Sequence, residues 1–328
     1  LILRGFIAAA ILSLGTLSAA IAQPATRVHR VGIVTVLAAN PEPPTVRWFR
    51  QGMRELGYVE GRNLVLETRY ADGRTERLPE LFADLLALRM DVIVTGSVPA
   101  VLAAKKATAT VPIVFAGVLD ATAQGIVTNL ARPGGNITGS TYGTGEAAIA
   151  AKWMDLLKEA APQISHVAVL FNSDDPQSAQ QLRSIEDAAR RLRVKIDRFD
   201  ARDDATLDKA IASMGASGAQ GLIVANAPLF GARRFKIVRF AAGRRLPAMY
   251  FFHLFPDVGG LMSYGGSIEE TYRKAAVYVD RIVKGAKPGD LPIDQPTRFE
   301  LVINAKTAKA LGLTLPPPLL LRADRVID

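Results

Sequence analysis

The chain has no cysteine among its 328 residues. That excludes disulfides, thiol nucleophiles and cysteine-based zinc sites, and it leaves stability to the burial of apolar side chains. Histidine is nearly as scarce: His29, His166 and His253 are the whole supply. His29 and His166 open apolar runs that read as strands, so only His253 falls where a general base would meet a ligand. No G-x-S-x-G elbow accompanies it, and no spacing of ligating side chains suits a metal. The glycine-rich stretches fail as phosphate loops: Arg132-Pro133-Gly134-Gly135-Asn136 follows a helical segment rather than a strand, and Gly143-Thr144-Gly145 lacks a following Lys-Ser/Thr. Asp174 and Asp175 are adjacent carboxylates, but Asp before Pro176 reads first as a helix cap. No catalytic residue, metal or cofactor is expected.

Long hydrophobic runs are missing as well. The apolar stretch from Gly5 to Leu17 is shorter than the roughly 20 residues that span a bilayer, and Gly, Ser and Thr dilute it. Arg4 precedes it and Ala20-Ile21-Ala22 follows, which is the pattern of a cleavable secretion signal over residues 1–22 with Gln23 as the mature start. An exported chain without a cysteine for lipid attachment needs an outer barrier to retain it, so a periplasmic location is expected. The net charge of +9 is dispersed over many separate arginines, with no basic stripe interleaved with aromatics. Nucleic acid is excluded as a partner.

What is present is a weak internal duplication. The first half predicts strands at 30–37, 63–70, 91–95 and 111–116, with helices at 43–56, 75–88 and 99–107 between them. The second half repeats that order, with strands at 166–171, 194–200, 221–225 and 246–251 and helices at 176–192, 205–214 and 228–242. Near-continuous apolar strands alternating with amphipathic helices imply parallel sheets covered on both faces. A further helix is expected at 123–131. A long amphipathic helix follows at 267–284, then a strand at 298–304, a short helix at 305–311 and an extended tail at Pro316-Pro317-Pro318. The fold class is therefore α/β, with two doubly wound parallel-sheet lobes joined by a multi-crossover hinge. Crossings are expected near Tyr142, Gly265 and Pro296. The resulting lobes are residues 28–141 plus 266–296, and 142–265 plus 297–328.

Ligands of open parallel sheets sit beyond the carboxyl ends of the strands. That rule selects Asn40, Ser97 and Asp120 from the first lobe and Asn172, Asn226, Tyr250 and Phe251 from the second. Ser97 precedes a helix start, where a hydroxyl and free N–H groups receive a carboxylate, though the same residue suits an N-cap. Asp120 could pair with an ammonium or merely close a turn. Asn172 and Asn226 occupy equivalent points of the repeat and offer amide hydrogen bonds, and Tyr250 and Phe251 supply either an aromatic wall or core. These are the residue types of a binder.

Several ordered stretches carry a family resemblance. They are Gly57-Tyr58-Val59-Glu60-Gly61-Arg62-Asn63-Leu64, Ala131-Arg132-Pro133-Gly134-Gly135-Asn136-Ile137-Thr138-Gly139, Gly259-Gly260-Leu261-Met262-Ser263-Tyr264-Gly265, and the run from Asp290 to Asn304. From about Val28 to Asp328 the chain resembles the ABC-transporter substrate-binding family of tryptophan/tyrosine-type proteins. The resemblance implies a class I periplasmic-binding fold and capture of an amino-acid-like or aromatic small molecule by lobe closure. It also implies delivery to an ABC permease in the inner membrane; separately, a monomer is expected. A periplasmic sensor that docks on a membrane receptor would show the same cleft. One departure stands out: where the family pattern runs Asp-Pro-Val, Asp120 is followed here by Ala121-Thr122.

Overall fold

The computed structural model describes residues 27–39, 41–142, 146–295 and 299–328, without the side chains of 146–148. The signal segment, Asn40 and the crossing expected near Pro296 lie outside the described residues. The first half of the chain forms β1 (His29–Thr35), α1 (Pro44–Glu55), β2 (Leu64–Tyr70), α2 (Leu78–Ala87), β3 (Val92–Thr95), α3 (Val98–Ala107), β4 (Ile113–Val118) and β5 (Ile137–Thr141). Its five strands run parallel in the order β2-β1-β3-β4-β5. Every residue of β3 and β4 is buried, as strands covered by helices on both faces require.

The second half forms α4 (Glu146–Ala160), β6 (His166–Phe171), α5 (Pro176–Leu192), β7 (Lys195–Asp200), α6 (Asp204–Ala216), β8 (Gly221–Val224), α7 (Pro228–Ala232), α8 (Arg234–Gly243), β9 (Ala248–Tyr250) and β10 (Met262–Gly265). After these come α9 (Ile268–Val283), β11 (Glu300–Asn304), α10 (Ala305–Ala310), α11 (Pro317–Leu321) and β12 (Arg325–Ile327). The second sheet has the order β12-β11-β10-β9-β8-β6-β7. Read from β7, it begins β7-β6-β8-β9-β10, the same winding as the first sheet. Only the β10–β11 pair is antiparallel.

The last helix of each repeat is exchanged. α4 follows β5 of the first sheet but packs on α5 and against β8, β9 and β10; α9 follows β10 but packs on α1 and against β3, β4 and β5. Small residues permit the close α1–α9 contact, since a Cβ on Gly52 would stand 2.8 Å from that of Ala276. Trp153 of α4 is fully buried and donates its indole N–H to the Tyr264 carbonyl of β10 at 2.7 Å. This pins the exchanged helix to its host sheet.

Three expectations need correction, and two elements, β5 and α4, were not expected. The helix expected at 123–131 is a series of turns, opened by a left-handed Asp120 (φ 41°) and continued by Gly125 (φ 68°). The helix expected at 228–242 is broken at Arg233, whose backbone (φ −101°, ψ 19°) ends α7 before α8 starts. Pro316-Pro317-Pro318 do not extend the chain. Pro317 starts α11, because proline at the first helical position loses no hydrogen bond. β5 and α4 went unassigned, since Ile137-Thr-Gly-Ser-Thr has no apolar alternation.

Candidate functional site

The carboxyl ends of the strands in the two sheets face one another, and the residues after them enclose a cavity of about 70 Å³. From the first lobe it is lined by Thr35 to Leu37 after β1, Thr45 at the start of α1, Gly96 to Val98 at the β3–α3 turn, Ala116 to Leu119 at the end of β4, and Tyr142 after β5. Ile268 and Tyr272 of α9 complete this side. The second lobe contributes Asp175 and Gln177 at the start of α5, Val224 to Pro228 between β8 and α7, and Phe251 and Phe252 after β9. A cavity of about 150 Å³ is what admits one benzene ring. An amino acid is larger than this space, so the lining must shift to admit one.

Polar atoms with no partner gather at this cavity. Ser97 Oγ and Gln177 Nε2 are buried without a hydrogen bond, and Thr45 Oγ1 has the Tyr272 hydroxyl as its polar neighbour. Thr45 and Gln177 are only 1% and 5% exposed, so bulk water does not satisfy them. A buried orphan polar group costs about 1–3 kcal/mol, and a cleft that carries such groups is built for a guest that supplies the missing bonds. Ser97 shows strain as well. Its backbone lies at φ 75°, ψ 147°, a region close to glycine-only, and its side chain does not cap α3. The start of α1 likewise has no side-chain cap. Two helix amino ends from the first lobe therefore present positive partial charge to the cavity.

The second lobe contributes a carboxylate, close to the uncapped start of the short α7. Asp175 is 6% exposed and caps α5, its Oδ1 accepting from the Gln177 and Ser178 N–H groups at 2.9 and 3.4 Å. Both bonds use one oxygen. Burial pushes the Asp175 carboxyl above the ordinary carboxylate value, against the pull of those two N–H groups. An aromatic group forms the remaining wall. Tyr142 meets the Phe251 and Phe252 rings edge-on, with centroids 5.6 and 5.1 Å apart, and Phe251 and Phe252 lie 4.4 Å from each other. Gly117 (φ 74°) makes room for the Tyr142 ring, which a Cβ there would meet at 2.1 Å.

Of the residues expected to bind, Ser97, Asn226 and Phe251 line the cavity. The Asn226 N–H is held by Gln181 Oε1 at 2.7 Å, which fixes the turn while leaving its side chain uncommitted. Three others do not line it. Tyr250 faces the opposite side of its sheet, stacked on Phe255 at 4.4 Å, because successive strand residues alternate faces. Asn172 closes a local turn by accepting from the Asp174 N–H at 2.9 Å. Asp120 accepts from Ala123 N–H and Thr122 Oγ1, which hold its carboxyl below the ordinary range. Asn40 lies outside the described residues. The residues missed were Asp175, Gln177, Thr45 and Tyr142. The Asp-Pro pattern of Asp175 signals a helix cap and says nothing of the cavity that the cap faces. His253 is held by Asp257 Oδ2 at 2.8 Å and lies tilted against the Trp48 ring, and it does not line the cavity. Among the described residues no cluster of three or more ligating side chains could hold a metal, and no helix is long and apolar enough to cross a membrane.

Two matched parallel-sheet lobes, drawn together over a cavity with hydrogen-bonding groups from both, define a solute-binding protein. The chain belongs to the family described as ABC transporter substrate binding protein, whose model matches residues 30–327. It is 24% identical over 271 residues to a tyrosine-binding protein of Clostridioides difficile, covering 81% of this chain and 75% of that relative. Among solved structures it is similar to an ABC domain from Streptococcus pneumonia in complex with L-Trp, at 22% identity and a TM-score of 0.79, covering 92% of this chain and 100% of that one. A ligand-free, open substrate binding protein with adhesive properties from Clostridium difficile is 21% identical with a TM-score of 0.60, covering 92% of this chain and 99% of that one.

Proposed function

We propose that this protein captures an aromatic amino acid or a close analogue in the cleft between its lobes, in the periplasm, and hands it to an ABC importer. The moving bodies are residues 28–141 plus 266–296 and residues 142–265 plus 297–328. The observation that carries the reading is the polarity of the cavity: uncapped helix ends and the unpartnered Ser97 hydroxyl on one lobe, a buried carboxylate on the other, and an aromatic wall beside them. A zwitterion fits that arrangement, with its carboxylate at Ser97 and the α3 amino end, its ammonium at Asp175, and its side chain against Phe251, Phe252 and Tyr142. The ammonium partner is thus Asp175 in place of Asp120. Because each end of the ligand meets a different lobe, binding favours the closed form through contacts the open form lacks.

The relatives support the ligand class, one being a tyrosine-binding protein and another a complex with L-Trp. The test is thermal unfolding of ligand-stripped protein with L-tyrosine, L-tryptophan, L-phenylalanine and a panel of other amino acids and aromatic acids. Ligand at a hundredfold excess over Kd adds about 2.7 kcal/mol, which raises the midpoint by several degrees. A flat response to the whole panel would remove the proposal.

A further inference from the structure

At the rim of the cavity, outside its lining, one guanidinium joins the two lobes. Arg233 occupies the break between α7 and α8. Within its own lobe its Nε donates to Asp204 Oδ1 at 2.6 Å and its Nη2 to Asp204 Oδ2 at 2.7 Å. Across the gap its Nη1 donates to Asp72 Oδ1 at 2.6 Å and its Nη2 to Asp72 Oδ2 at 3.3 Å. A guanidinium's planar fork of donors can engage two carboxylates at once in a fixed, bidentate geometry; an ammonium lacks that fork.

Both legs of this bridge continue into the cavity wall. The Asp72 turn is tied to β1 by Ala71 N–H on the Thr35 carbonyl at 2.9 Å and Gly73 N–H on the Val36 carbonyl at 2.7 Å, and Thr35 and Val36 line the cavity. On the other side α7 carries Phe230 and Gly231, which also line it. Apolar contact flanks the bridge: a Cβ on Gly73 would come within 3.2 Å of Ala232, and one on Gly231 within 3.2 Å of the Leu37 side chain. Arg233 itself is 21% exposed at the side chain, so water screens it only in part.

We propose that Arg233 is a positioning residue for ligand retention: held ready by Asp204, it clasps Asp72 as the lobes close and slows the escape of the captured molecule. Asp204 is in the same lobe as Arg233 and stays with it when the cleft opens. The fork is therefore ordered before closure, and less side-chain entropy is lost when Asp72 arrives. An isolated surface pair contributes little, whereas a two-carboxylate fork shielded by packing contributes more. The effect belongs to release rather than capture, since the clasp forms only after the lobes meet.

The ligand half of this inference rests on the proposed function; the closure half does not. The absence of native cysteine allows spin labels to be placed at Glu80→Cys and Lys209→Cys, both exposed, one in each lobe. Interlobe distances are then measured without ligand in the parent protein, Asp72→Asn and Arg233→Lys, and release of L-tyrosine and L-tryptophan is followed by stopped flow. Asparagine tolerates the left-handed backbone at position 72 (φ 53°), so that variant keeps its turn. Both substitutions should shift the unliganded distances toward the open form and speed release about three- to tenfold. Salt at about 0.5 M should open the parent more than Asp72→Asn. Distance distributions that superpose on the parent's would overturn the clasp, even with slower melting or weaker binding. If neither amino acid binds the parent, the ligand reading falls while the distances still decide the clasp.

Discussion

Asp175→Asn separates two roles carried by one side chain. The carboxyl caps α5 through Oδ1, and asparagine keeps an acceptor oxygen in the same place. Asn and Asp are about equal as N-caps, so the helix should lose no more than a few tenths of a kcal/mol. Charge behaves differently. Burial raises the Asp175 carboxyl above its ordinary value of 3.8, so the folded state disfavours its ionisation. The folded pKa then exceeds the unfolded one, and the group's contribution to stability is complete below the unfolded value and lost as pH rises through the folded one. The charge of this group therefore does not stabilise the ligand-free parent, and Asp175→Asn should be as stable or slightly more so. A bound ammonium reverses this balance. Removing one partner of a buried ion pair costs about 3–5 kcal/mol. At about 1.4 kcal/mol per tenfold, affinity should fall by roughly two to nearly four powers of ten. Calorimetric titration with L-tyrosine and L-tryptophan reads the loss, and urea unfolding of the ligand-free proteins reads stability. Parent affinity should also weaken on acidification at a higher pH than an ordinary carboxylate would give, while the variant stays flat. If Asp175→Asn binds within about threefold of the parent, the level of an exposed pair, the ammonium assignment is wrong.

Gly117→Ala should destabilise the protein by about 2–4 kcal/mol, through overpacking against Tyr142 and a backbone that disfavours side chains. An unchanged urea midpoint would contradict the packing described. Ser97→Gly should relieve backbone strain and stabilise the ligand-free protein by about 1 kcal/mol while weakening binding. Ser97→Ala should weaken binding without the gain in stability, and equal melting behaviour of the two variants would show that position 97 stores no strain.

Much of the architecture was legible because the signal lay in runs. β6 and α5 fall on the expected residues, and both sheets wind as the duplication predicts, since buried parallel strands and Pro-initiated helices are written locally. The site was less legible, and the reason is geometric. A strand-end position is visible in sequence, but whether its side chain turns to the cleft depends on register. Phe251 and Tyr250 are neighbours that ended on opposite sides. Asp120 and Asn172 have the chemistry of ligand groups, yet adjacent N–H groups claim their oxygens. Asp175 also makes a local cap and still lines the cavity, because its turn sits at the lobe boundary. Thr45 and Tyr272 meet there only through the packing of α9 on α1, some 220 residues apart in the chain, which no local pattern encodes.

The exchange of α4 and α9 explains how so small a pivot can govern so large a surface. Each lobe completes its core with a helix supplied by the strand that ends the other repeat, so the connections must pass side by side at the cleft floor. Tyr142, beyond β5, and Gly266, between β10 and α9, are two such connections. A Cβ on Gly266 would stand 2.9 Å from the Tyr142 ring. That ring also rests on Gly117 and touches Phe251 and Phe252. Any rotation of one lobe on the other must move Tyr142 against the aromatic wall that would hold a ligand. Under the proposed function the same side chain belongs to both pivot and pocket, so a guest pressed against Phe251 and Phe252 would restrain the turning of one lobe on the other.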